Sequence, residues 1–98
     1  VYVAGMRGID PATTTLVPDV EGRVRQAFLN MRHVAASEGA TLADCARLVV
    51  YVVDMDLRPL VNRIQVEFGM SPPRTIVEVA RLNQDDIFEV EGTFYAPL

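Results

Sequence analysis

Pro72-Pro73-Arg74-Thr75-Ile76-Val77-Glu78-Val79 is the run from which the rest of the chain can be read in both directions. Proline has no N–H and fixes φ, so the two prolines cannot continue a helix and they hold the backbone extended up to Arg74. The Thr, Ile and Val residues that follow are strong β-formers. A strand is therefore predicted to start at or just after Arg74. Immediately upstream, Arg58 to Phe68 places Leu60, Val61, Ile64 and Phe68 at helical spacing and stops at Gly69. Before that, Arg47 to Val53 is a dense Leu and Val run around Tyr51, too short for a helix. It reads as a strand buried on both faces, closed by Asp54-Met55-Asp56.

The remaining segments extend the same pattern. Val20, Val24, Ala27, Phe28, Met31, Val34 and Ala35 recur mostly at steps of three and four, giving a helix opened by Pro18 or Asp19 and stopped at Gly39. Val1 to Met6 is apolar and β-branched, with turn residues at Gly8, Asp10 and Pro11, and reads as a first strand. Asn83-Gln84-Asp85-Asp86 is a polar turn before a last strand, Ile87 to Tyr95, with Phe88, Val90 and Gly92 on one face and Glu89, Glu91 and Thr93 on the other. The last two strands are expected to form an antiparallel hairpin. The order β, helix, β, helix, β, β implies an α+β layout with two helices packed on one face of a mixed β-sheet.

Composition limits what such a fold can do. At 98 residues the chain, 1–98, is a single domain. Half of its residues are hydrophobic, more than one small core comfortably hides, so oligomerisation is expected. The formal net charge of -4 argues against nucleic acid or anionic membrane as partner, and no apolar run approaches the ~20 residues of a bilayer span. One cysteine, Cys45, permits no intrachain disulfide and no metal-ligand spacing is present, which fits a cytoplasmic protein without a metal. All nine basic residues are Arg, the side chain suited to bidentate grip of a carboxylate.

No phosphate loop, nucleophile elbow or histidine pair is present. The polar residues at strand ends and beside the second helix are Arg74, Glu89, Glu91, Glu78, Asn62, Asp54 and Arg7. Arg74 sits on a backbone stiffened by the prolines, from which it could be aimed at a carboxylate, although a surface Arg paired with a nearby acid is the plainer alternative. Glu89 and Glu91 share one strand face, where a carboxylate could orient water or shuttle a proton; a solvated polar face is the competing reading. Asp54 and Asp56 read as turn residues, His33 as helix surface, and Cys45, just ahead of the central strand, as a small buried hydrophobe.

Several phrases together resemble the Rid (YjgF-like) family: Val3-Ala4-Gly5, Arg25 to Met31, Val52-Val53-Asp54-Met55, Val61-Asn62, Pro72 to Val79, and Phe88-Glu89-Val90-Glu91. The resemblance spans nearly the whole chain in the right order. It implies a chorismate-mutase-like fold and a homotrimer with sites in the clefts between subunits. It further implies hydrolysis of an enamine or imine, such as 2-aminoacrylate or another small carboxylate-bearing 2-imino acid, to a 2-keto acid and ammonia, without cofactor. By the same resemblance Arg74 holds the substrate carboxylate, Glu89 orients the hydrolytic water, the backbone carbonyl of Ile76 touches that water, Asn62 lines the cleft, and Gly5 allows close backbone approach. Ala4 and Met6 stand where the family usually has Ser and Gln, the loop from Phe68 to Pro72 is short, and the chain opens at Val1 without the segment that carries the family's N-terminal pocket Tyr. A larger, aminomuconate-type substrate is the alternative these departures suggest, and a non-catalytic trimeric binder of small carboxylates is the rival from another class.

Overall fold

The computed structural model describes residues 1–96, so positions 97 and 98 of the predicted domain lie outside the described residues. The elements are β1 (Tyr2–Met6), α1 (Val20–Ser37), β2 (Cys45–Val52), α2 (Arg58–Glu67), β3 (Arg74–Glu78) and β4 (Phe88–Phe94), with short 3-10 turns at Leu42–Asp44, Met55–Leu57 and Asn83–Asp85. Two helices pack on one face of a mixed four-stranded sheet of order β1-β4-β2-β3. Neither helix is long and apolar enough to cross a membrane.

Local chemistry explains the boundaries. The Asp19 carboxylate accepts the Gly22 N–H at 2.7 Å and satisfies one of the free donors at the start of α1. Pro59 sits in the first turn of α2, where its missing N–H costs nothing, and Gly69 leaves the helix at φ +71°. On the inner faces Val24, Ala27, Phe28, Met31 and Ala35 of α1, with Val61 and Ile64 of α2, meet Leu48, Val50, Val52, Phe88, Val90 and Phe94 of the sheet. Phe28 is the hub, its ring 5.8 Å from those of both Phe68 and Phe88. Gly92 makes room for this packing: a β-carbon there would stand 2.8 Å from the Phe94 ring and 3.2 Å from the Met31 sulfur.

Three expectations are corrected. The last two strands do not form a hairpin. β3 runs parallel to β2 with Leu48 opposite Arg74, and β4 lies antiparallel between β1 and β2, with Val50 opposite Val90. The crossover through α2 returns β3 to one side of β2 and leaves the other side to β4, a choice of neighbour that strand periodicity does not encode. Nor is the central strand buried on both faces. Leu48, Val50 and Val52 are fully buried, while Val49, Tyr51 and Val53 on the reverse face are only half-buried and Arg47 is exposed, because both helices cover the same side. Cys45, likewise, is the first residue of β2 and half-buried rather than part of the core.

The turn ahead of β4 is anchored by a buried charge. Asp86 is 1% exposed, and its carboxylate is met by Arg7 at 3.3 Å, Arg23 at 3.5 Å and the Ile87 N–H at 2.7 Å. Arg7 also donates to the Asn83 carbonyl and to Gln84, so this cluster ties the segment after β1 and the start of α1 to the turn that launches β4.

Candidate active site in two halves

Arg74 opens β3, positioned by the Leu48 N–H donating to the Pro73 carbonyl at 3.0 Å. Its partner Leu48 faces the helices, and so does Arg74, whose Nη1 donates to Gln65 Oε1 at 3.0 Å. Gln65 is itself buried, and its Nε2 donates to the Met70 carbonyl at 3.2 Å, so both ends of the amide are fixed and the guanidinium is aimed. Among the described residues no carboxylate lies within 4.0 Å of Arg74, although Arg7, Arg23, Arg25 and Arg63 each have one. Burial first, and the positive charge of Arg58 second, push the Arg74 guanidinium below its usual range. It remains a cation, since an Arg titrates far above neutrality. A half-buried cation with an aimed head and unused donors has the chemistry to take an anion. It borders a cleft of about 440 Å³ lined by Asn62, Gln65, Val66, Met70, Ser71 and Pro72.

The edge of β3 adds a second element. The Pro73 carbonyl and the Val79 N–H bond to β2, and successive residues of a strand alternate in direction. The even-numbered residues, Ile76 included, therefore present their N–H and C=O groups to the unpaired edge. Asn62, one turn along α2, is exposed at the same cleft. Arg74, Asn62 and Ile76 thus form one group.

Glu89 and Gly5 lie apart from it, on the neighbouring strands β4 and β1. Glu89 lies half-buried on the helix-free face of the sheet, directly across from Tyr51. On that face the Tyr51 hydroxyl donates to Glu91, and the carboxylate keeps the phenol protonated, raising its pKa through that hydrogen bond foremost. Glu89 accepts no hydrogen bond among the described residues, leaving its oxygens available to water. Sequence alternation alone cannot separate two glutamates on one face; the Tyr51 hydrogen bond, which goes to Glu91, does. Gly5 lies in an irregularity of β1 between Val3 and Met6, at φ +62° with open space where a side chain would start. Its backbone conformation, rather than crowding, calls for glycine there.

The two groups do not meet within one chain. Arg74 and Glu89 point to opposite faces of the sheet. From the pairings Arg74 with Leu48 and Glu89 with Tyr51, they are two strands apart, about 10 Å, and three residues along, about another 10 Å. Other candidates have local duties: Glu78 accepts the Met55 N–H at 2.8 Å, Asp54 accepts that of Asp56 at 2.9 Å, and Arg7 serves Asp86. His33 is exposed on α1. Cys45 gives its thiol to the Arg47 carbonyl at 3.3 Å, and burial raises its pKa, which disfavours a reactive thiolate. Gln65 and Tyr51 were not singled out from sequence. A glutamine on the apolar stripe of a helix, between Ile64 and Phe68, was the available signal for the first; the second needed the register.

Fold and site together define a class of small α+β domains in which an arginine with no acidic partner among the described residues opens an edge strand and a carboxylate lies on the uncovered face. The family described as Endoribonuclease L-PSP matches residues 1–96. The chain is 35% identical over 97 residues to a RutC family protein of Pyrococcus horikoshii, covering 96% of this chain and 77% of that one. It is 30% identical over 97 residues to the 2-iminobutanoate/2-iminopropanoate deaminase of Salmonella typhimurium, covering 94% and 76%. The solved structure of a probable translation initiation inhibitor from Rhodopseudomonas palustris superposes with a TM-score of 0.94 at 44% identity, covering 99% of this chain and 78% of that one. The chain belongs to this family, the Rid or YjgF-like proteins.

Proposed function

We propose that the protein is an enamine/imine deaminase that hydrolyses a carboxylate-bearing 2-imino acid to the 2-keto acid and ammonia. The observation that carries the reading is Arg74, a cation held by Gln65 in a cleft with no acidic partner among the described residues. In this scheme the substrate carboxylate takes the donors of Arg74 that Gln65 leaves free, which places C2 near the β3 edge. Water, held by Glu89 and by the Ile76 carbonyl, adds to the C=N carbon while its proton passes to the Glu89 carboxylate. The imine nitrogen takes a proton from the medium as the water adds, giving the carbinolamine; it then takes the proton held by Glu89, the C–N bond breaks with its electron pair going to nitrogen, ammonia leaves, and the hydroxyl proton returns to the medium as the keto group forms. An enamine substrate first tautomerises to the imine. The imine is already electrophilic, so the work is positioning and proton transfer.

Because Arg74 and Glu89 diverge within one chain, the complete site in this proposal lies between copies, with Glu89 and Gly5 of one facing Arg74, Asn62 and Ile76 of the next. The reverse face, with half-buried Val49 and Tyr51 and exposed Val77, is apolar enough to be covered in such an assembly, which we take to be a cytoplasmic homotrimer.

The test is ammonia release from freshly generated 2-aminoacrylate and 2-iminobutyrate. Wild type should accelerate it, and Arg74→Ala should lower kcat/KM at least about a hundredfold, the scale for losing a desolvated charged hydrogen-bond partner. Full activity in the variant would sink the assignment. A wild type that binds these acids without turnover would favour the non-catalytic binder.

A further inference from the structure

Glu89 and Glu91 stand on one face of β4, two residues and about 7 Å apart along the strand. Among the described residues no basic group lies within 4.0 Å of either carboxylate. Arg47, on the same face of the sheet and opposite Thr93, gives its guanidinium to the Thr75 hydroxyl instead. Two carboxylates therefore share this face with one side-chain donor, the Tyr51 hydroxyl, and that donor goes to Glu91.

The register alone would not hand it there. Tyr51 is paired with Glu89, and it is Val49 that is paired with Glu91. The phenol leans one pair along β4 to the diagonal position, a span within reach of an aromatic side chain and a long partner. Glu89, directly across from the ring, is left without a donor among the described residues. A carboxylate that accepts an O–H is stabilised in its charged form and has fewer lone pairs left for water, whereas one without a donor keeps them all.

We propose that Tyr51 is a positioning residue for the hydrolysis: by engaging Glu91 it leaves Glu89 as the one carboxylate on this face that takes the proton of the attacking water. The inference rests on the reading of Glu89 as proton acceptor in the deaminase, and adds the residue that chooses between the two glutamates. Tyr51 acts through Glu91 and touches neither water nor imine. The proton path is that of the proposed reaction, from water to Glu89 and from Glu89 to the carbinolamine nitrogen. Without the phenol, two like charges stand side by side on a face that the proposed assembly covers, and one water can be held by both. A proton taken by Glu91 is then carried two residues away from the nitrogen that needs it.

Tyr51→Phe keeps the ring and removes the donor. In ammonia release from 2-iminobutyrate it should lower kcat about tenfold, the scale of a lost hydrogen bond to a charged group, with KM within about twofold because Arg74 still holds the substrate carboxylate. Glu91→Asp, which draws the carboxylate back from the phenol and keeps its charge, should lower kcat in the same way. Glu91→Gln, whose amide oxygen still accepts the phenol, should stay within about threefold of wild type. The deciding protein combines Tyr51→Phe with Glu91→Gln: removal of the competing carboxylate should restore kcat to within about threefold of wild type, although the lost hydrogen bond is not regained. A purely structural tyrosine predicts no such recovery. Wild-type kcat in Tyr51→Phe or Glu91→Asp, or a double variant no more active than Tyr51→Phe, overturns the role of Tyr51 and leaves the deaminase reading standing. Full activity in Glu89→Gln, or a wild type without turnover, overturns the reading of Glu89, and this inference with it.

Discussion

Arg74 acts through a neighbour that sequence does not advertise. Gln65 spends one end of its amide on Met70 and the other on Arg74, so the guanidinium reaches the cleft already oriented. Tyr51 has a comparable relation to Glu91, and the consequence is measurable. The folded pKa of Tyr51 is raised, principally by that hydrogen bond and then by burial. The stabilisation is therefore fully present below the ordinary tyrosine value of about 10 and is lost as the pH climbs through the higher folded one. In an absorbance titration at alkaline pH Tyr51 should ionise above the ordinary tyrosine range, and Glu91→Gln should bring its midpoint down. A Tyr51 midpoint left unchanged by Glu91→Gln would contradict the pairing. Tyr51→Phe, which strands no buried donor, should cost about 1–2 kcal/mol in a denaturant titration.

At the level of elements, β4 carries more of the design than its seven residues suggest. It is flanked by β1 and β2, presents Phe88, Val90 and Phe94 to the helices, and presents Glu89 and Glu91 to the other side. Its closeness to α1 depends on Gly92, where an added methyl meets the Phe94 ring and the Met31 sulfur. Gly92→Ala should therefore destabilise the fold by about 1–3 kcal/mol through overpacking. An unchanged denaturation midpoint would mean that the Phe94 ring moves aside freely and that the contact is not tight. The predicted β3–β4 hairpin failed at this scale. Both strands were correctly placed along the chain, but pairing is decided by which edge of β2 the α2 crossover occupies, and no residue in the turn at Asn83–Asp85 states that choice.

For the molecule as a whole, the separation of Arg74 from Glu89 has a consequence that one chain cannot show. If each complete site takes Arg74 from one copy and Glu89 from the next, two inactive variants should complement each other. Arg74→Ala and Glu89→Gln, denatured together and refolded as a one-to-one mixture, should regain about a quarter of wild-type activity, the fraction of random neighbour pairs that bring both native residues together. The unmixed variants should stay inactive. No recovery in mixed assemblies shown by mass spectrometry to contain both chains would place Arg74 and Glu89 in separate sites, contrary to the proposal.

The elements, most residues of the helices' inward faces and the start of a strand at Arg74 were legible in the sequence, because hydrophobic period, proline and glycine act locally and leave their mark within a few positions. So was the family resemblance, which covers nearly the whole chain. Four matters belonged to the tertiary structure: the neighbour of each strand, the uncovered reverse face of β2, the capture of Glu91 by Tyr51, and the opposite directions of Arg74 and Glu89. Each depends on which segments distant in sequence lie side by side. That is settled by the packing of α1 and α2 on one face and by the crossover between β2 and β3, and the alternation of side chains along a single strand carries no information about its neighbours.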